Sequence, residues 1–216
     1  MAITPSQFVA MLKEIAESIE AEKDRLSELD GPIGDGDHGV SMSIGWSAVT
    51  DALAGLPPGA DFARICSTAA KSFLNAVGAS AGPLYATAFM RGGAALKGCG
   101  ALDANAFVAF IGAASQGIRD RGKASPGDKT MLDAWLPAVA AAEAAQASGA
   151  SLAGCAAAAA RAARDGAAAT AGMLARMGRA SRLGERSLGH VDPGAASTAL
   201  IFEAMARGVA RAEEST

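Results

Sequence analysis

Residues 31–43, GPIGDGDHGVSMS, hold Gly34, Gly36 and Gly39 in the G-x-G-x-x-G spacing of a dinucleotide-binding turn. That turn belongs between a strand and a helix of a βαβ unit, so the reading of this stretch decides the fold. Two of its variable positions, Asp35 and Asp37, are acidic, and Asp30 stands just upstream. A phosphate cradle built this way would set three carboxylates against its own anion.

The flanks argue against a βαβ unit. Upstream, Thr4, Pro5 and Gln7 form the start of a helix, with an N-cap, a proline at the first helical position and a T-x-x-Q capping box. Phe8, Met11, Leu12, Ile15 and Ile19 then recur at three- and four-residue spacing, and the pattern runs to about Leu29. Downstream, helical segments follow at about 38–53, 60–77, 82–97, 103–121, 129–148, 151–175 and 194–212, each bounded by Gly or Pro signals. Clusters of β-branched residues that would make strands are nearly absent. Half of the 216 residues are hydrophobic and only 5% aromatic, and alanine supplies much of the apolar share. Such a composition favours closely packed helices. Eight helices with short connections predict one all-α domain over 1–216, an antiparallel up-and-down bundle or barrel.

In that topology the connections after helices one, three, five and seven lie at one end. They read DGPIGDGDHG, VGASAG, DRGKASPGDKT and GRASRLGERSLGHVDPGA, and they hold nearly all the polar, glycine-rich sequence. The turns at the other end, GLPPGA, KGCGALD and ASGAS, look ordinary. The same geometry brings the N-termini of helices two, four, six and eight to the polar end, where unpaired N–H groups and helix dipoles favour an anion such as phosphate.

Two further motif matches fail. GIRDRGKA, 117–124, approaches a P-loop but has Ala124 where a magnesium-binding hydroxyl is needed, and it follows a helix. Asp35 and Asp37 resemble the start of a calcium loop, but Gly39, Val40 and Trp46 break the rest of that pattern. Asp30, Asp35 and Asp37 remain as hard oxygen ligands on a flexible turn, a set that suits a divalent cation bridging to phosphates. The alternative is a solvated acidic turn that caps the following helix. The other loops add Ser80, then Lys123, Asp128, Thr130 and the apolar Met131–Leu132 edge, then Arg179, Arg182, Arg186, His190 and Asp192.

A net charge of −3 gives no attraction for nucleic acid or an anionic membrane. Cys66, Cys99 and Cys155 form neither a C-x-x-C pair nor a disulfide framework. The N-terminus lacks the apolar run of a signal peptide, and no segment makes a convincing membrane span. A soluble cytoplasmic protein is expected.

Together the loops IGDGDHG, GASAGPLY, GKASPGDKTMLDAW and GRASRLGERSLGHVDPGAAST resemble those of the L subunit of dihydroxyacetone kinases, in the right order along the whole chain. The resemblance implies an eight-helix barrel binding ADP or ATP with two Mg²⁺ at one end. By motif match, Asp30, Asp35 and Asp37 would be the catalytic metal ligands. His38, Gly39, Val40 and Ser41 would meet phosphates, as would Ala79 and Ser80. Gly122, Thr130, Met131 and Arg179 would border the nucleotide, and Asp192, Pro193 and Gly194 would close the site. Ala81 departs from the family, where a second hydroxyl is common, leaving Ser80 to act alone.

The resemblance also implies a separate K subunit that holds a small ketose covalently, and in one branch a histidine-phosphoprotein of the phosphotransferase system that recharges resident ADP. Arg182 and Arg186 would then dock the K subunit or cover the nucleotide. A homodimer is compatible with this picture. A magnesium-dependent phosphohydrolase and a non-catalytic nucleotide-binding adaptor are the other functions open to the same residues.

Overall fold

The helix starting at Pro5 carries the capping box its sequence specifies. In the computed structural model, which describes residues 2–78 and 81–214, Thr4 N–H donates to Gln7 Oε1 at 2.8 Å and Gln7 N–H to Thr4 Oγ1 at 3.3 Å. This helix, α1 (Pro5–Ala21), buries Phe8, Met11, Leu12, Ile15 and Ile19 on one face. It does not run on to Leu29. The chain turns at Glu22 into a separate short helix, α2 (Lys23–Asp30). The apolar spacing continues from Ile19 to Leu26 across the break, so periodicity alone conceals it. The bend lets the Lys23 carbonyl pack directly on Gly39, at a distance where any side chain at 39 would collide with it.

The other helices are α3 (His38–Ala54), α4 (Phe62–Ala76), α5 (Ala81–Ala95), α6 (Ala104–Gly122), α7 (Leu132–Ala147), α8 (Leu152–Ala169) and α9 (Pro193–Glu214). Among the described residues there is no sheet, only an isolated bridge between Ile3 and Leu102. Helix α8 ends about six residues before the expected 175, in a single 3₁₀ turn, Thr170–Gly172. The connection to α9 then forms 3₁₀ turns over Arg179–Ser187, interrupted where Gly184 takes φ 56°. Residues 117–122, the P-loop near-match, are the last turn and a half of α6.

Each of α3 to α9 packs on the next, α1 packs on α3, and α9 returns to α1. Eight long helices thus close an antiparallel all-α ring, with α2 an added strut beneath α3. The closing seam carries a buried Glu14, whose carboxylate accepts from Arg207 Nε at 3.1 Å and Arg211 at 2.6 Å. Inside, Phe8 meets Phe62 and Phe110 edge-on at 5.3 and 5.5 Å, and Trp46 packs against Phe73, Tyr85 and Phe89. Alanines fill much of the rest, including Ala156, Ala159 and Ala163 of α8, so helix axes approach closely. No helix of the described residues is long and apolar enough to cross a membrane.

Candidate functional site

The loops after α2, α4, α6 and α8 surround one cavity of about 520 Å³. The first turns of α3, α5, α7 and α9 all reach it, so the predicted gathering of four helix N-termini at one end is present.

On one wall stand the three aspartates. Carboxylate oxygens of Asp30, Asp35 and Asp37 lie within 4.8 Å of one another. Asp30 is buried and Asp35 and Asp37 are exposed. Asp30 Oδ2 accepts from the backbone N–H of Asp37 at 3.1 Å and of His38 at 3.3 Å, which caps α3. The capping role that sequence offered as an alternative to metal binding is therefore real for Asp30, but it occupies only one of its oxygens. The other lies against Gly34, whose missing side chain makes the room. Asp35 pairs with the Arg179 guanidinium across the cavity mouth. Three carboxylates this close repel one another unless a cation joins them, and Arg179 supplies one such charge.

His38 forms the link to the opposite wall: its Nε2 lies 2.9 Å from Ser197 Oγ of α9. Burial lowers the imidazole pKa, with Asp30 opposing, so the neutral ring is favoured. Behind it Tyr85, 4% exposed, lies beside Ser197 and Thr198 in no geometry that makes a hydrogen bond. Burial pushes its hydroxyl up to about 12.

The α9 wall is built around Asp192. Its Oδ2 accepts from Ala195 N–H at 2.8 Å and caps the helix, while its own N–H donates to Thr170 Oγ1 at 2.9 Å. Burial raises the Asp192 pKa to about 7, and Lys129 opposes the rise. Lys129 is 2% exposed, and its Nζ donates to the carbonyls of Thr170 at 2.7 Å, Met173 at 3.2 Å and His190. Burial lowers its pKa, with Asp192 opposing. Nearby, Asp133 accepts from Gly127 N–H at 2.6 Å and Thr130 N–H at 2.8 Å, fixing the turn that begins α7.

Of the residues singled out in the sequence, Asp30, Asp35, Asp37, His38, Ser41, Gly122, Thr130, Met131, Arg179, Asp192, Pro193 and Gly194 all line this cavity. Gly39 and Val40 do not: Gly39 packs on α2, and the Val40 side chain faces out, 46% exposed. Ala79 and Ser80 lie outside the described residues. Arg182 and Arg186 are exposed on the 3₁₀ segment between α8 and α9. Sequence reasoning passed over Arg121, Tyr85 and Lys129. Arg121 and Tyr85 sit on helices, where only their position in the last turn of α6 and the first turns of α5 could have flagged them. Lys129 looked like one more polar residue in a turn, because nothing in GDKT marks a lysine as buried.

The chain matches the DAK2 domain family over residues 32–207. It is 39% identical to the ADP-binding subunit DhaL of PEP-dependent dihydroxyacetone kinase 1 from Listeria innocua, over 90% of this chain and 91% of that protein. It is 35% identical to the ADP-binding subunit DhaL of the PEP-dependent dihydroxyacetone kinase of Escherichia coli, over 95% of this chain and 98% of that protein. Its fold is similar to that of the dihydroxyacetone kinase of C. freundii in its native form, with TM-score 0.73 and 25% identity. The fold also matches that kinase in complex with AMP-PNP and Mg²⁺, with TM-score 0.70 and 23% identity. The match covers 95% of this chain and 35% of the native C. freundii chain. By its match over residues 32–207, most of its length, the chain belongs to the DAK2 domain family.

Proposed function

We propose that residues 1–216 act as one nucleotide-binding domain, the ADP-binding subunit of a dihydroxyacetone-type kinase, which hands a phosphoryl group to a hydroxyl of a small ketose held on a separate K subunit. The observation that carries this reading is the pairing, in one cavity, of three carboxylates within 4.8 Å of one another with four converging helix starts. Carboxylates alone would reject a polyphosphate, and helix starts alone would not need them. Together they suit a nucleotide whose phosphates arrive with a divalent cation.

The donor set fits magnesium: hard oxygens only, with one oxygen of Asp30 free of the α3 cap and two further carboxylates exposed to solvent. Asp30, Asp35 and Asp37 would hold a pair of ions. Bound magnesium would neutralise charge on the group being transferred. The chain's own residues bind and orient. The first turn of α3, where His38 and Ser41 line the cavity, would meet phosphate oxygens, as would Ala79 and Ser80. Asp192, Pro193 and Gly194 close the far side, and Gly122, Thr130 and the apolar side chain of Met131 border the rest of the nucleotide. Arg179, paired with Asp35 at the cavity mouth, would border the nucleotide. No covalent intermediate on this chain is needed, because phosphoryl transfer is chiefly positioning and charge neutralisation.

Between a cycle in which ATP arrives and ADP leaves at each turnover and one in which ADP stays bound and is recharged by a histidine-phosphoprotein of the phosphotransferase system, we favour the second. The support is the 35–39% identity to ADP-binding subunits of PEP-dependent kinases across nearly their whole length. The reading is tested by melting the purified chain with Mg·ADP, with ADP plus EDTA, and with EDTA alone. Ligand at about a hundred times its dissociation constant should add roughly 2.7 kcal/mol, a shift of a few degrees. Stabilisation that needs both metal and nucleotide, or a strong loss with EDTA alone from protein that carries ADP, is expected. No response from nucleotide-free protein would overturn the proposal.

A further inference from the structure

Among the described residues Lys129 is the only buried lysine, and its partners are unusual. Among the described residues no carboxylate lies within ion-pair distance of its ammonium. Backbone carbonyls serve instead, from Thr170 and Met173 at the end of α8 and from His190, two residues before Asp192. An ammonium has three protons to donate, and three acceptors are present. Burying that charge without a counter-ion is costly, and an apolar residue of similar length would be cheaper to bury if filling space were the only task. The backbone is constrained as well: Lys129 has φ 61°, a conformation uncommon outside glycine.

What the lysine joins is specific. Its chain neighbours Thr130 and Met131 lead into α7 and line the cavity, and His190 leads into Asp192 and the head of α9. Two other contacts reinforce the same seam, Arg176 N–H to the Asp128 carbonyl at 3.1 Å and Asp192 N–H to Thr170 Oγ1 at 2.9 Å.

We propose that Lys129 is a positioning residue for the phosphate end of the cavity: it fixes the starts of α7 and α9 against the end of α8. Its charge, matched by carbonyl dipoles and by no contacting carboxylate, favours an anion in the cavity that it lines. This rests on reading the cavity as a nucleotide site.

The test compares Lys129→Met and Lys129→Arg with the unaltered full chain, titrating each with Mg·ADP and with adenosine, which lacks phosphates. Lys129→Met should weaken Mg·ADP by roughly tenfold or more, the loss typical of a charge-assisted contact, and weaken adenosine, which still meets Thr130 and Met131, by clearly less. Lys129→Arg, which keeps the charge but not the compact geometry, should recover part of the loss. Equal losses for the two ligands, or none for either, would show that the lysine only supports the fold and would overturn the inference. Failure of the unaltered chain to bind Mg·ADP would sink the nucleotide reading and the inference with it. Should Lys129→Met not fold, Thr170→Val cuts the same seam at Asp192. It should lower the ratio of Mg·ADP to adenosine affinity in the same direction, and an unchanged ratio overturns the proposal.

Discussion

The walls that α3 and α9 contribute to the cavity are built on one device and put to different uses. In each, an aspartate carboxylate accepts from backbone N–H groups at the head of the helix: Asp30 for α3, Asp192 for α9. Beside Asp30 stand two more carboxylates, exposed and close, with Arg179 as the cation in reach. Beside Asp192 stand a buried lysine and a hydroxyl, and its carboxyl is held near neutrality by burial. The first wall keeps surplus negative charge facing water, where a divalent ion can use it. The second holds its lysine and its aspartate on backbone groups and serves as a frame. The lesson is that an acidic residue at a phosphate site is defined by what neutralises it, not by its type.

The comparison can be broken most decisively at Asp35. Asp35→Asn removes a carboxylate from the open wall without touching a helix cap. Mg·ADP affinity should fall by about a hundredfold, the upper end of the ~10–100-fold typical of losing an outer partner of a metal. Calorimetry reads the affinity and circular dichroism should show the helices intact; an affinity equal to the parent's would remove the metal role.

A smaller effect separates two glycines. At Gly34 a methyl group would overlap the Asp30 carboxylate, whereas at Gly194 it would come to 3.1 Å from Asp192 Oδ2. Gly34→Ala should therefore cost both magnesium-dependent binding and the α3 cap, about 1 kcal/mol for the cap. Gly194→Ala should cost less of each. Equal melting temperatures and affinities for the two variants would mean that Asp30 has no fixed place.

The smallest effect is one of pH. In protein free of metal and nucleotide, Asp192 in the folded state keeps its proton up to about pH 7, while the unfolded chain releases it near pH 4. Folded protein then binds more protons than unfolded, so this group's stabilisation is complete below about pH 4 and is lost as pH rises through about 7. Asp192→Asn keeps a capping side chain and removes that slope. His38, held below its ordinary value by burial, acts in the opposite sense below about pH 6.5 in both proteins, so the difference between their melting curves isolates Asp192. Identical slopes would mean that Asp192 is ionised throughout.

Much of this was legible in the sequence for physical reasons. Apolar periodicity, Thr4, Pro5 and the glycine punctuation located every long helix, and up-and-down connectivity then forced the four polar loops to one end. What escaped lay where periodicity carries no information. The α1–α2 break at Glu22 keeps the apolar register from Ile19 to Leu26, so only the contact between Lys23 and Gly39 reveals it. The early end of α8 is set by Thr170, whose hydroxyl bonds back to Ala167 and whose carbonyl goes to Lys129. The double duty of Asp30, and the burial of Lys129, depend on groups seven and more than forty residues away.

The return of α9 to α1 has a consequence of its own. A ring of helices in which every member touches two neighbours has no privileged first member, and the polypeptide is a path drawn on that ring. Redrawn to start at the turn of residues 55–60, outside the cavity, with a short bridge from α9 to α1 where Gln7 Nε2 donates to the Ala212 carbonyl, the path would preserve each neighbour relation. Chain order and architecture are separable here, and the cavity belongs to the architecture.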